Sequence, residues 1–352
     1  MDRPTAIINA IGAAVPDHDI HAAFVGWAEG RLEDRRARAV FARMAARAGI
    51  ERRWSVLPAT AAGGSPVADG GFYAVNPLPS TAARMALYAE HAPALALAAI
   101  ARLGPLGRVT HLVVASCTGF VAPGIDQIIA ARAGLGGGVE RTLVGFMGCY
   151  AAVAALRAAH HIVRSEPQAR VLVVTVELST LHLQPDDALE PLLAMLQFGD
   201  GAAAAIVSGG GEGLALSSPF AATLPDTADL IRWRIGDQGF AMHLSGEVPG
   251  RIADALRDPG TATQLFGDPS TVDGWAVHAG GRSILDAVEG ALALPPEALA
   301  ASRSVLARFG NMSSSTLMFV LADMLGRRID NGVAVAFGPG LAAEGFRFRS
   351  VP

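Results

Sequence analysis

The segment 145–157 reads GFMGCYAAVAALR and places Cys149, one of two cysteines in 352 residues, between a glycine and an alanine-rich run. A glycine turn that opens onto a helix sets a thiol at the helix's positive end, which favours the thiolate and lowers the thiol pKa. A nucleophilic cysteine also needs a partner for its proton and donors for a developing oxyanion. His278, in WAVHAGGRS, ends an apolar run and precedes a Gly-Gly turn. Asn311, in FGNMSSS, follows a glycine and leads into an apolar helix, as Cys149 does. Together they form one nucleophile, one acid/base or ion-pair partner and one amide donor, a set suited to acyl transfer. Read singly, each has a plainer role: a small core cysteine, one of nine histidines, and a helix N-cap.

These residues must be held by a scaffold, and the composition narrows its kind. The chain is 51% hydrophobic and 17% charged with 40 glycines, which fits one large or two medium α/β units. A formal net charge of −4 gives no reason to expect nucleic-acid binding. Two cysteines point to a reducing compartment, and the start, MDRPTAIINAIGAAVPDHD, has too short an apolar run for a secretory signal. Mean hydropathy is +0.36, yet the longest uncharged stretches, Arg108 to Asp126 and Arg141 to Arg157, are shorter than a membrane span needs. A cytoplasmic protein is expected. All 28 basic residues are arginine. Schiff-base chemistry, pyridoxal-phosphate anchoring and P-loop phosphate binding need a lysine and are excluded.

VTHLVVA (109–115), RTLVGF (141–146) and RVLVVTV (170–176) read as buried strands. Residues 124–134 and 149–164 read as helices, giving an α/β alternation. An arginine-studded amphipathic helix precedes them in 32–53, then a connecting loop over 58–79 and a long helix over 79–104. The second half repeats the plan. TVDGWAVHAGG is a strand and turn followed by the helix ILDAVEGAL; 304–325 is a strand or short helix, a Gly-Asn turn and a helix; and GVAVAFGPG (332–340) is the closing strand. Thr118 precedes Cys149 by 31 residues and His278 precedes Asn311 by 33. A duplicated unit is the economical reading, with halves 1–212, carrying the cysteine, and 213–352, carrying the histidine and asparagine.

GFMGCYAA, FGDGAAA, WAVHAGGRSILDAVE, GNMSSS and FGPGLAAE, in this order and spacing, resemble the chalcone synthase family, the type III polyketide synthases. The resemblance covers about residues 5–349. It implies an α/β, thiolase-like αβαβα layered fold and a homodimer that acts on malonyl-CoA and an acyl-CoA starter, with no metal or redox cofactor. It implies that Cys149 attacks the starter thioester, while His278 and Asn311 hold the thioester oxygen as malonyl-CoA loses carbon dioxide. The product would be a polyketide cyclised to a resorcinol, phloroglucinol or pyrone. Phe198, in LQFGDG, matches a gatekeeping phenylalanine, and Ser313 and Thr118 match polar pocket positions. Arg43 and Arg47, four apart on one helix face, match positions that bind CoA phosphates. A third basic position is Val40 here, which leaves Arg36 as a substitute.

Other departures concern the product. Met242 stands for a second phenylalanine, Trp233 for a small pocket glycine and Cys117 for a threonine of plant members, so a reshaped cavity and an aliphatic starter are expected. AFGPG replaces GFGPG. An initiating β-ketoacyl carrier-protein synthase also uses Cys, His and Asn, but GNMSS and FGPG argue against it. A non-catalytic acyl-binding dimer partner would be expected to lose one of the three.

Overall fold

Uncharged aliphatic runs become strands whose alternate side chains enter two different cores. In His111–Ser116, Leu112 and Val114 join one apolar cluster while Val113 and Ala115 join another. Leu172, Val174 and Val176 likewise part from Val171 and Val173 in Arg170–Leu178. A strand buried on both faces needs a helix layer on each side. The computed structural model describes residues 5–59 and 64–352. Residues 1–4 of the expected non-secretory start and 60–63 of the expected loop lie outside these; the described remainder of 58–79 holds no helix or strand.

The described residues form one nine-stranded sheet. Its spatial order is Gly274–Val277, Gly332–Gly338, Ala342–Val351, Gly213–Thr223, Ala6–Ala14, Asp200–Ser208, Arg170–Leu178, His111–Ser116 and Glu140–Gly145. Each half pairs parallel strands at its outer end and antiparallel strands toward the middle. The halves join where Ala6 faces Leu216. Helix Ala151–Ser165 touches His111–Ser116, Arg170–Leu178 and also Ala342–Val351 of the other half; helix Ser315–Met324 touches Ala6–Ala14, Asp200–Ser208 and Gly274–Val277. These two helices are the middle layer. Thr81–Ala101 covers the outer face of the first half, and Arg282–Ala291 packs Leu285 and Val288 with Trp275 and Val277 on the second. The result is the expected αβαβα arrangement. The alanines of Asp200–Ser208 are fully buried on both faces, and their small side chains let both helix layers approach closely.

Two expectations change. The strand Glu140–Gly145 is exposed rather than buried, because it is the sheet's edge. Where the sequence leaves a strand or a short helix open at 304, the chain forms the helix Ala300–Phe309. Gly332–Gly338 is not the last strand, since Ala342–Val351 follows and pairs with it.

Candidate active site

Gly148 has φ of +78°, and a Cβ there would lie 2.3 Å from Pro339 Cδ. Glycine is what allows the chain to turn against Pro339. The turn Gly148–Tyr150 runs straight into helix Ala151–Ser165, which puts Cys149 at a helix start, as the sequence indicates. Behind it, Cys117 Sγ accepts the Gly148 N–H at 2.9 Å. The thiol of Cys149 is nevertheless not lowered. Burial pushes it up to about 12, hydrogen bonds from Ser313 and Asn311 draw it back, and nearby Glu177 opposes them. Desolvation outweighs the helix end here. Ser313 Oγ donates to Cys149 Sγ at 3.9 Å from a backbone with φ of +48°.

Asn311 follows Gly310, whose φ is +68° and whose missing Cβ leaves room for Arg53 Cγ and the Gln197 carbonyl. Its side chain is doubly fixed: Oδ1 accepts the Ser313 N–H at 2.8 Å and Nδ2 donates to the Gly280 carbonyl at 3.1 Å. Gly280 lies two residues after His278, so the amide ties the histidine loop to the cysteine pocket. His278, at the end of Gly274–Val277, is buried, and neither ring nitrogen has a hydrogen-bond partner among the described residues. Burial lowers its pKa to about 3. A buried imidazole left unpaired calls for a chemical reason.

Glu177 was missed by the sequence reading. It is fully buried at the end of Arg170–Leu178. Its Oε2 accepts from the Cys117 N–H and the Thr118 hydroxyl, each at 2.9 Å, and Ser314 donates to its Oε1. Burial raises its pKa to about 7 despite these bonds. A lone acid closing an apolar strand, RVLVVTVEL, was the available signal. His182, also missed, donates from Nε2 to the Thr118 carbonyl at 2.7 Å and accepts the Phe240 N–H on Nδ1, which fixes its tautomer. It stacks on Phe240 with centroids 4.1 Å apart.

Phe198 forms an isolated bridge with Asn311. It borders an apolar cavity of about 250 Å³ shared with Trp233, Met242, Phe24, Leu57 and Met195. Trp233 meets Phe198 edge-on at 6.5 Å and sits opposite Met242 in the hairpin Ile231–Gly236/Gly239–Leu244. Cys149, His278 and Asn311 do not line this cavity; nor do Cys117, Thr118 and Ser313, which the sequence reading put on the pocket wall. The hydroxyl of Thr118 serves Glu177 and the Leu178 N–H instead. On the other side, Gln197, Gly280 and Gly281 close a groove of about 750 Å³ that Arg43 and Arg47 also line. Arg36 and Val40 do not line it. Phe198 therefore stands between groove and cavity. Among the described residues no three His, Cys, Asp or Glu side chains gather as a metal site, and no helix is long and apolar enough to cross a membrane.

Residues 1–211 match the chalcone and stilbene synthases, N-terminal domain, and residues 215–352 match their C-terminal domain. The chain is 36% identical over 287 residues to an alpha-pyrone synthesis polyketide synthase-like protein of Mycobacterium tuberculosis, covering 75% of this chain and 72% of that one. It is 35% identical over 295 residues to bisdemethoxycurcumin synthase of Oryza sativa subsp. japonica, covering 76% and 73%. PKS-I from the brown alga Ectocarpus siliculosus superposes with a TM-score of 0.86 at 28% identity over 100% of both chains.

Proposed function

The chain belongs to the chalcone and stilbene synthase family, the type III polyketide synthases, and on that premise we propose that Cys149, His278 and Asn311 perform its decarboxylative Claisen condensation. The observation that carries the assignment is the convergence of the Cys149 thiol, the Ser313 hydroxyl and the Asn311 amide at one buried helix start, with the His278 loop held by that same amide.

Burial keeps an isolated thiolate and an isolated imidazolium apart in energy, since the thiol stands near 12 and the imidazole near 3. Transfer of the Sγ proton to His278 makes both charges at once, as an ion pair with no net charge to desolvate. The thiolate then adds to the starter's thioester carbonyl, the C–S bond to CoA breaks, and the imidazolium returns its proton to the departing CoA sulfur. In the second stage the malonyl C–CO₂ bond breaks and its electron pair becomes an enolate on the bound thioester. Donors from His278 and Asn311 meet the enolate oxygen in a dry site, where fixed dipoles act most strongly. The enolate carbon attacks the acyl group on Cys149, and the thiolate leaves. These steps use only side chains and CoA thioesters.

The likeness to the alpha-pyrone synthesis polyketide synthase-like protein of Mycobacterium tuberculosis supports a pyrone among the expected products. The apolar lining of the cavity, with Met242 and Trp233 face to face, supports an aliphatic starter. Each buried CH₂ contributes about 0.8 kcal/mol, so kcat/KM should rise roughly fourfold per carbon until the cavity ends. A homodimer is supported by the open edge strand Glu140–Gly145 and by Leu143, Phe146 and Phe120, which are 44%, 37% and 45% exposed. We place it in the cytoplasm and read 1–212 and 213–352 as its two halves.

Incubation of the purified protein with malonyl-CoA and acetyl-, hexanoyl-, decanoyl- and coumaroyl-CoA, with mass spectrometry of the products, tests the reading. Extended and cyclised chains are expected, with the alkyl starters ahead of coumaroyl-CoA. Equal rates across the alkyl series together with strong coumaroyl activity would overturn the starter assignment.

A further inference from the structure

The groove between helices Arg35–Arg47 and Arg282–Ala291 is more cationic than its own packing requires. Arg43 and Arg47 line it, and among the described residues neither guanidinium has an acidic partner within ion-pair distance. Arg282 lines it from the other half of the molecule, as the first residue of its helix. An arginine in a first turn faces the positive end of the helix dipole, so helix stability disfavours it there. Asp286, one turn on, compensates incompletely because it is shared: it lies 3.4 Å from Arg282 Nε and 2.7 Å from Arg303 Nη2.

Arg282 Nη1 reaches over to donate to the Arg47 carbonyl at 3.2 Å, which sets the two cationic residues side by side. Glu190, the other acid of the groove, accepts the Gly246 N–H at 3.4 Å. Three arginines lining one groove, one of them at a helix N-terminus, are arranged for a polyanion. The groove runs inward to Gln197 and Gly280, neighbours of Phe198 and His278, so the polyanion must trail an arm that reaches the reacting centre. A coenzyme A thioester has that form.

We propose that Arg282 is the third phosphate-binding cation of the CoA groove, supplied by the second half in place of the first half's Val40. This inference rests on the CoA-thioester reading above. Arg282 would meet the phosphates from the wall opposite Arg43 and Arg47, so that the nucleotide is gripped from two sides. By bonding the Arg47 carbonyl it would also hold the groove's width.

Calorimetric titration of CoA and of pantetheine, which has no phosphate, into wild-type, Arg282→Ala and Arg282→Lys proteins tests it. The alanine variant should raise the Kd of CoA about five- to tenfold, the loss of a charge-assisted bond, and lose much of the preference for CoA over pantetheine. Lysine should recover part of it, as a point charge without the planar fork. CoA binding should also depend less steeply on salt in the alanine variant. A Kd for CoA within about twofold of wild type, or an equal loss for CoA and pantetheine, would overturn the proposal. Failure of the parent reading looks different. Wild-type protein with no affinity for CoA overturns both, whereas one that prefers CoA to pantetheine yet makes nothing from malonyl-CoA overturns the parent reading alone.

Discussion

In each half a glycine with positive φ, +78° at Gly148 and +68° at Gly310, delivers the chain to a buried helix. After Gly148 the helix begins almost at once, and the Cys149 side chain is held only through its sulfur, by a long bond from Ser313 at 3.9 Å and by the Asn311 amide. After Gly310 four residues intervene before Ser315, and Asn311 is pinned through both ends of its amide. A nucleophile must advance on a carbonyl and then carry a chain, so loose tethering suits it. An oxyanion donor acts through preorganisation, so it must not move. One turn, used twice, yields opposite mechanical properties.

Removing the nucleophile should break the comparison most severely. Cys149→Ala is expected to abolish acyl loading and product, read by intact-protein mass spectrometry. Cys117→Ala should still load, more slowly, because Cys117 Sγ accepts the Gly148 N–H. Iodoacetamide that labels Cys117 and spares Cys149 would reverse the assignment.

On the other turn, Asn311→Ala should load an acyl group yet lose malonyl-CoA decarboxylation by about 10²-fold, roughly 3 kcal/mol. His278→Gln should lose decarboxylation by as much and also load slowly, since it removes the acceptor of the Cys149 proton. Carbon dioxide release at the wild-type rate would remove that residue from the site. Exchanging the glycines sharpens the contrast. Gly148→Ala and Gly310→Ala each force a side chain into a left-handed, filled position, at a cost of about 3 kcal/mol in denaturant unfolding. Gly148→Ala should cost more, since its Cβ would lie 2.3 Å from the Pro339 ring, against 2.8 Å from Arg53 Cγ and 2.9 Å from the Gln197 carbonyl oxygen at Gly310. It should impair loading first, and Gly310→Ala decarboxylation first.

The most gradual effect is the pH dependence that Glu177 adds beneath the cysteine turn. Its folded pKa is raised to about 7 from 4.5, so its stabilising contribution is complete below 4.5 and is lost as pH rises through 7. Glutamine mimics the protonated acid. Glu177→Gln should therefore flatten the fall in unfolding free energy over that window by at most about 1.4 kcal/mol per pH unit. Asp200, also raised to about 7 by burial, would still contribute. An unchanged slope would show that Glu177 is not protonated in the folded protein.

Much of the site was legible because its residues adjoin glycines, which mark where backbone must turn or approach closely. Cys149, His278 and Asn311 each stand beside or just before one. Glu177 and His182 were not found, since their roles come from what crosses the strand ends in space. The thiol's pKa was read from its helix start alone, while its sign follows from burial, which depends on every layer of the fold. Leu143 and Val144 read as buried for a related reason: an apolar run does not tell a central strand from an edge awaiting a partner.

The backbone at Phe198 is anchored at several points. Gly199 N–H donates to the Asn311 carbonyl at 3.0 Å, Asn311 N–H to the Gln197 carbonyl at 2.8 Å, and Arg53 Nη1 to the Phe198 carbonyl at 2.7 Å. A segment so fastened cannot swing out as a lid without dismantling the donor beside it, which leaves rotation of the phenyl ring about its own χ bonds as the way through. Rotamer hops are fast on the timescale of a turnover of about 0.1 s. Passage past Phe198 then sets no clock for the enzyme, and solvent viscosity, which slows hinged lids, should leave the turnover number untouched.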